Sequence, residues 1–183
     1  MKNYKAAVLG CRSRGGAAAR AYYDHPRTEL VGLCDLLPEL YNKLGDELGV
    51  ENRYDDLDRM IQETEPDIVA IPTGTEFHHP LAMRVLEHGV NIDIEKPLCA
   101  DLEESDEVVA KAREQGVRIA VHHQGRTGAV MRSVAKAYEE GRIGELHHIH
   151  GYGKNYYGGY GLMNIGTHMI NMMLKIAGRC RHV

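Results

Sequence analysis

Three places in the 183-residue sequence hold residue types at spacings that could do chemistry. The first is Gly10-Cys11-Arg12-Ser13-Arg14-Gly15, which follows the apolar run 6–9 and opens an alanine-rich segment that reads as a helix. A glycine at the start of such a turn permits a tight bend, and one at its end lets helix and strand pack closely. The helix N-terminus then offers amide hydrogens and a favourable dipole to a diphosphate. Arg12 stands at the middle glycine position of the G-x-G-x-x-G pattern, where its side chain either swings aside or pairs with a phosphate oxygen. Asp35 ends the next apolar run, twenty residues after Gly15. A carboxylate there can accept hydrogen bonds from both adenosine ribose hydroxyls and repel a 2′-phosphate, so NAD is favoured over NADP. Glycine at a turn and aspartate at a strand end are also ordinary punctuation, and it is their joint spacing that points to a dinucleotide.

The second place is Glu95-Lys96-Pro97-Leu98, directly after the apolar run 90–94. If that run is a strand of a parallel sheet, the ionisable pair sits at the carboxyl edge, where ligands of open α/β sheets bind. An ammonium beside a reacting C–OH stabilises developing oxyanion character. The alternative is an edge salt bridge between Lys96 and Glu95.

The third place is the run 161–171, Gly-Leu-Met-Asn-Ile-Gly-Thr-His-Met-Ile-Asn, leading into an apolar helix that stops near Gly178. In a helical setting Asn164 and His168 share one face. An imidazole ordinarily titrates near neutral pH, so His168 could take a hydroxyl proton while hydride leaves the same carbon. The alternative is a helix histidine packed among Met163, Met169, Met172 and Met173.

Elements able to position these residues are visible in the hydropathy pattern. Short apolar runs at 6–9, 30–34, 68–71, 90–94 and 117–121 alternate with charged, helix-compatible segments, which predicts βαβ units and a parallel sheet covered on both faces. A helix is predicted over 37–48 with Gly49 as its stop. Two more end at Gly89 and Gly116, where a left-handed residue is needed. After residue 121 the pattern changes to a His-rich stretch, a helix over 131–140 and a strand-like run over 145–152. A loop over 151–161 follows, with five glycines and four tyrosines. A domain boundary is predicted at 121–126.

Taken together, the turn at 10–15, the stretch from Pro72 to His79, Glu95-Lys96-Pro97 and Gly166-Thr167-His168 resemble the Gfo/Idh/MocA family of oxidoreductases. The fold this implies is α/β: a Rossmann-type doubly wound parallel sheet over 1–121, followed by the start of an α+β substrate domain over 122–183. The activity it implies is NAD(P)-dependent hydride transfer between a nicotinamide cofactor and a secondary alcohol of a sugar or polyol. By the same resemblance Lys96 contacts the reacting hydroxyl and the nicotinamide ribose, and the Lys96–Pro97 peptide is cis.

His168 matches the family's usual general base, while Asn164 stands where the family pattern has Asp. Asn164 can hydrogen-bond a sugar hydroxyl but offers no negative charge to an imidazolium. Gly10, Arg12, Ser13, Arg14, Gly15, Asp35, Pro72, Thr73, His78, Glu95 and Lys96 are the expected cofactor contacts. His78 either shapes the nicotinamide pocket or caps the next helix. Arg126 is a candidate substrate contact beside Asn164, His168 and Lys96. Family members continue well beyond the His168 helix and form homo-oligomers through that further sheet, so the chain is expected to be C-terminally truncated. The family also contains redox-neutral lyases and hydrolases that use NAD within one turnover. A non-catalytic nucleotide or sugar sensor is the alternative from a different class.

Composition narrows the field further. The net charge is −4, with Lys and Arg scattered among acidic residues, which argues against nucleic acid as a partner. The four cysteines form no CxxC pair and read as reduced thiols of a cytoplasmic protein. The run 6–9 is too short for a signal sequence or a membrane span. His122, His123, His147, His148 and His150 are close in sequence, but neighbours on a strand point to opposite faces, so no metal site is expected.

Overall fold

The computed structural model describes residues 3–151 and 161–182, apart from the side chain of Asn164. Six strands form one sheet in the order β3-β2-β1-β4-β5-β6: β1 Tyr4–Leu9, β2 Thr28–Cys34, β3 Arg53–Tyr54, β4 Ile68–Ile71, β5 Asn91–Glu95 and β6 Ile119–His122. β1 pairs in parallel with both β2 and β4, β2 with β3, and β4 with β5. The reversal of strand order at β1 and β4 is the switch point at which a doubly wound sheet opens a crevice beyond the carboxyl ends of its strands.

Residue alternation along the strands assigns the two faces. Ala7, Leu9, Val69, Ile71, Ile92 and Ile94 share one core with residues of α3 Leu57–Thr64, α4 His78–Glu87 and α5 Leu102–Gln115. Val8, Leu33 and Ala70 turn the other way, onto α1 Ser13–Asp24 and α2 Pro38–Leu48. The sheet is therefore covered on both sides, as the alternation of runs and helices predicts.

Local chemistry explains where the helices begin and end. Pro38 sits in the first turn of α2, and Gly49 closes it at φ 68°. Asp101 caps α5 by accepting the Glu104 amide at 2.9 Å, while Glu104 accepts the Ala100 amide at 3.2 Å, a reciprocal capping arrangement. Asp56 caps α3 through the Arg59 amide at 2.8 Å. Neither β3 nor α3 is expected from the run pattern, because β3 is only two residues long and shows no periodicity.

The chain divides into two compact units, residues 1–121 and 122–183. The second contains α6 Gln124–Thr127, α7 Ala129–Glu139, a π-helical turn Leu162–Gly166 and α8 Thr167–Ala177. Residues 145–151, expected as a strand, form none; no other strand is described within that unit to supply a hydrogen-bonded ladder. Most of the expected Gly/Tyr-rich loop, residues 152–160, lies outside the described residues. No helix among the described residues is long and apolar enough to cross a membrane.

Candidate functional site

The first unit gathers its candidate residues at the carboxyl edge of the sheet. Gly10 follows β1 with φ 101°, a conformation that strains any side-chain-bearing residue, and its amide donates to the Cys34 carbonyl at 2.7 Å. A Cβ at Gly15 would overlap the Gly10 carbonyl and lie 3.4 Å from the Pro72 ring. Glycine at 15 is thus what lets α1 start against β1. Arg12, Ser13 and Arg14 are exposed around the start of α1. Arg12 occupies the N-cap position with an extended backbone and no side-chain cap, so its side chain does not close the turn.

Asp35, half-buried beyond β2, is held from two sides. Its Oδ2 accepts the Cys11 amide at 2.7 Å and its Oδ1 accepts the Leu37 amide at 3.0 Å. Each carboxylate oxygen keeps a further lone pair. The Cys11 thiol lies 3.6 Å from the Cys34 carbonyl. Burial, then the charge of Asp35 and the neighbouring Cys34, push this thiol up to about 12, so it stays protonated and is no nucleophile.

At the ends of β4 and β5 the two remaining segments meet. Thr73 packs its methyl 3.1 Å from where a Gly10 Cβ would be, and its hydroxyl is buried without a hydrogen-bond partner among the described residues. His78 is fully buried at the start of α4. Its Nδ1 lies 2.8 Å from the Pro97 carbonyl and 3.2 Å from that of Leu98, and its Nε2 lies 3.2 Å from the Thr73 carbonyl. Glu95 accepts the Lys96 amide at 3.3 Å and faces the Arg14 guanidinium at 3.9 Å, which links the glycine turn to the β5 edge. Lys96 is half-buried, and the Lys96–Pro97 peptide is cis.

In the second unit, His168 near the start of α8 meets the His123 ring edge-on, with centroids 5.5 Å apart and planes at 86°. Arg126 donates to the Asn171 carbonyl at 3.0 Å and to its side-chain oxygen at 3.3 Å, joining α6 to α8. Asn164 falls in the π-helical turn before α8; its side chain is outside the described residues. Met169, Met172 and Met173 are half-buried, while Met163 is exposed. Among the described residues no group of three or more His, Cys, Asp or Glu is arranged to hold a metal ion.

Reading along the chain misses three of these partners: the Cys11 amide for Asp35, His123 for His168, and Asn171 for Arg126. Only His123 carries a signal in the sequence. Of the pair His122–His123, the first is exposed and the second half-buried, the alternation that adjacent residues at a strand end produce.

The first unit's edge fits a dinucleotide on the structure's own terms. A side chain at Gly15 would fill the turn, the α1 N-terminus lacks an acidic residue in its first turn, and the Thr73 hydroxyl is an orphaned buried polar group beside it. These are the features of a site shaped for an anionic ligand that brings its own hydrogen-bonding partners.

Comparison with known proteins agrees. Residues 4–123 match the Gfo/Idh/MocA model, described as an oxidoreductase family with an NAD-binding Rossmann fold. The chain is 29% identical over 144 residues to D-apiose dehydrogenase of Paraburkholderia graminis, covering 79% of this chain and 38% of that protein. It is 30% identical over 142 residues to the NAD(+)-dependent scyllo-inositol 2-dehydrogenase of Bacillus subtilis, covering 77% and 42%. An oxidoreductase of Agrobacterium radiobacter, solved with NAD+, L-tartaric acid and magnesium, superposes with a TM-score of 0.84 at 21% identity, covering 100% of this chain and 59% of the other. That likeness shows the fold. The chain thus spans less than half the length of the two relatives it matches by sequence.

Proposed function

The chain belongs to the Gfo/Idh/MocA oxidoreductase family, whose matched domain is an NAD-binding Rossmann fold, and from that premise we propose that the protein moves a hydride between a sugar or polyol secondary alcohol and NAD. The observation that carries the reading is a convergence at one sheet edge. The turn at 10–15, the unpartnered Thr73 hydroxyl and Glu95-Lys96 lie together there, with Arg14 reaching Glu95 at 3.9 Å.

When bound, NAD supplies the hydride acceptor. The amides at the start of α1, with Arg12, Ser13 and Arg14, hold its diphosphate; Gly10 and Gly15 leave it room. The free lone pairs of Asp35 take the adenosine ribose hydroxyls, and its charge selects NAD over NADP. Pro72, Thr73 and Glu95 line the path toward the nicotinamide, with His78 supporting them from below. The Lys96 ammonium would donate to the substrate oxygen and stabilise the alkoxide character that develops as the hydroxyl proton leaves, before the oxygen becomes a carbonyl with the departure of hydride. By the family resemblance His168 would be the base that takes the hydroxyl proton, with Asn164 and Arg126 as the expected substrate contacts of the second unit.

The test is an equilibrium titration with NAD and with NADP, followed by absorbance of reduced nicotinamide in the presence of a sugar and polyol panel. The expected result is NAD-selective binding weakened in Asp35→Ala and turnover abolished in Lys96→Ala. Absence of binding by a folded chain overturns the reading. Substrate conversion without net reduced nicotinamide replaces it with redox-neutral elimination or hydrolysis, and binding with no conversion replaces it with a sensor.

A further inference from the structure

We propose that His78 is a positioning residue that fixes the spacing between the cofactor grip at Thr73 and the ammonium of Lys96. The inference rests on the function proposed above and gives His78, expected from the sequence as a cofactor contact, a role through its neighbours instead, since its ring is fully buried.

Thr73 and Pro97 belong to the loops that follow β4 and β5. Those strands are paired from Ile68 with Asn91 to Ile71 with Ile94, and the ladder stops there. Beyond it the loops need another tie, since loops after parallel strands are the least restrained part of such a sheet. His78 supplies it. The fully buried ring spans the Thr73 carbonyl on one side and the Pro97 carbonyl on the other.

Both partners are carbonyl acceptors, so the neutral ring donates its one N–H to Pro97 or to Thr73 according to its tautomer, and ties both at once only when both nitrogens carry a proton. A side chain selected for filling space alone would be apolar, because a buried imidazole facing carbonyls is costly unless its N–H is used. The two tied carbonyls are also informative in their position. Thr73 packs its methyl beside Gly10 and buries its hydroxyl, and Pro97 directly follows Lys96. Fixing both carbonyls fixes the origins of the two side chains between which a hydride would have to travel, and reaction rates are steeply sensitive to such spacing.

The experiment uses the chain carrying His78→Leu, His78→Asn or His78→Gln, with NAD as the probe. The Asn amide nitrogen sits near the place of Nδ1 and can donate to Pro97. The longer Gln amide reaches toward the place of Nε2 and Thr73. Two quantities are read: the NAD dissociation constant, and amide hydrogen exchange resolved to segments 72–75 and 96–99 with α2 and α5 as internal references.

The expected result for His78→Leu is faster exchange in both segments with α2 and α5 unchanged, and NAD affinity lower by about tenfold, as when the binding-competent arrangement falls to about a tenth of the population. His78→Asn should restore slow exchange only at 96–99, and His78→Gln only at 72–75. If His78→Leu does not fold, the Asn and Gln pair decides. Exchange that rises uniformly across the unit, or Asn and Gln variants that behave alike, overturns the proposal in favour of general packing. If the unsubstituted chain does not bind NAD, the proposed function fails, while the segment-specific exchange still reports on His78.

Discussion

The Asp35 carboxylate accepts the Cys11 amide at 2.7 Å, which closes the glycine turn back onto the end of β2 before any ligand arrives. With the Leu37 amide on its other oxygen at 3.0 Å, this residue organises the crevice as well as facing it. Removing it should therefore have two consequences. Asp35→Ala leaves two backbone amides without their acceptor, at a cost of about 1–3 kcal/mol to the unliganded chain. Urea unfolding without NAD reads this directly, and an unchanged midpoint would show that the carboxylate is a ligand group only. A loss of NAD affinity in the same variant has to be interpreted after this structural part is measured.

Gly15 and Gly16 are neighbours in sequence with opposite tolerance. A Cβ at Gly15 meets the backbone carbonyl of Gly10, which cannot move without shifting β1, whereas a Cβ at Gly16 meets the Arg20 guanidinium at 2.9 Å, the end of a flexible chain. Gly15→Ala should cost at least about 1–3 kcal/mol of stability, as overpacking does, and abolish NAD binding. Gly16→Ala should be neutral or gain up to about 1 kcal/mol from helix propensity. Thermal melts of the two variants side by side test the contrast, and equal behaviour would refute it.

Much of the sheet was legible because its strands are short apolar runs punctuated by glycines, and burial on both faces follows from runs that are continuously apolar and separated by helical segments. The α3 helix was hidden by the two-residue β3 before it, although Leu57, Met60, Ile61 and Thr64 are buried at helical spacing after an Asp cap. The strand-like run over 145–152 failed the other way: residues 145–151 form no strand, because a strand exists only with a partner. Local motifs located Gly10, Gly15, Asp35, Glu95 and Lys96. The contacts of His78 with Pro97, nineteen residues away, and of Arg14 with Glu95 could not be read, because a sequence states which groups can bond but not which ones meet.

Arg14 separates stability from binding. Its guanidinium is 61% exposed and 3.9 Å from Glu95, so the pair contributes little to folding, at most about 1 kcal/mol. At the start of α1 the same charge faces the proposed diphosphate path, where a charge-assisted contact matters more. Arg14→Ala should leave the melting temperature nearly unchanged while weakening NAD binding by about tenfold at low salt, with a smaller loss at high salt. An NAD dissociation constant equal to that of the parent chain would place the diphosphate elsewhere.

Thiol accessibility gives an independent check on the packing around the turn. Cys180 is exposed, whereas Cys11, Cys34 and Cys99 are buried, and burial raises all three buried thiols above their ordinary range. Iodoacetamide at mildly alkaline pH should label Cys180 alone in the folded chain and all four after denaturation, as read by mass spectrometry. Labelling of Cys11 at the rate of Cys180 would mean that the turn is open.

Those raised thiols also set a pH limit on the fold. Cys11 is pushed up to about 12 by burial, Asp35 and Cys34, and Cys34 to about 12 by burial, Asp56 and Asp35, both from an ordinary value of 9.0. The folded state holds these protons more tightly than the unfolded state does. The associated stability is fully present below pH 9 and is lost as pH rises from there toward 12. Lysines and tyrosines also titrate in this range, so the difference from Cys11→Ala/Cys34→Ala isolates the thiol contribution. The variant should be less stable than the parent at pH 8 through lost packing, and the gap should narrow steadily above pH 9. A gap that stays constant to pH 11 would show that the two thiols ionise alike in the folded and unfolded chain, and that the crevice beside Asp35 is wetter than its packing indicates.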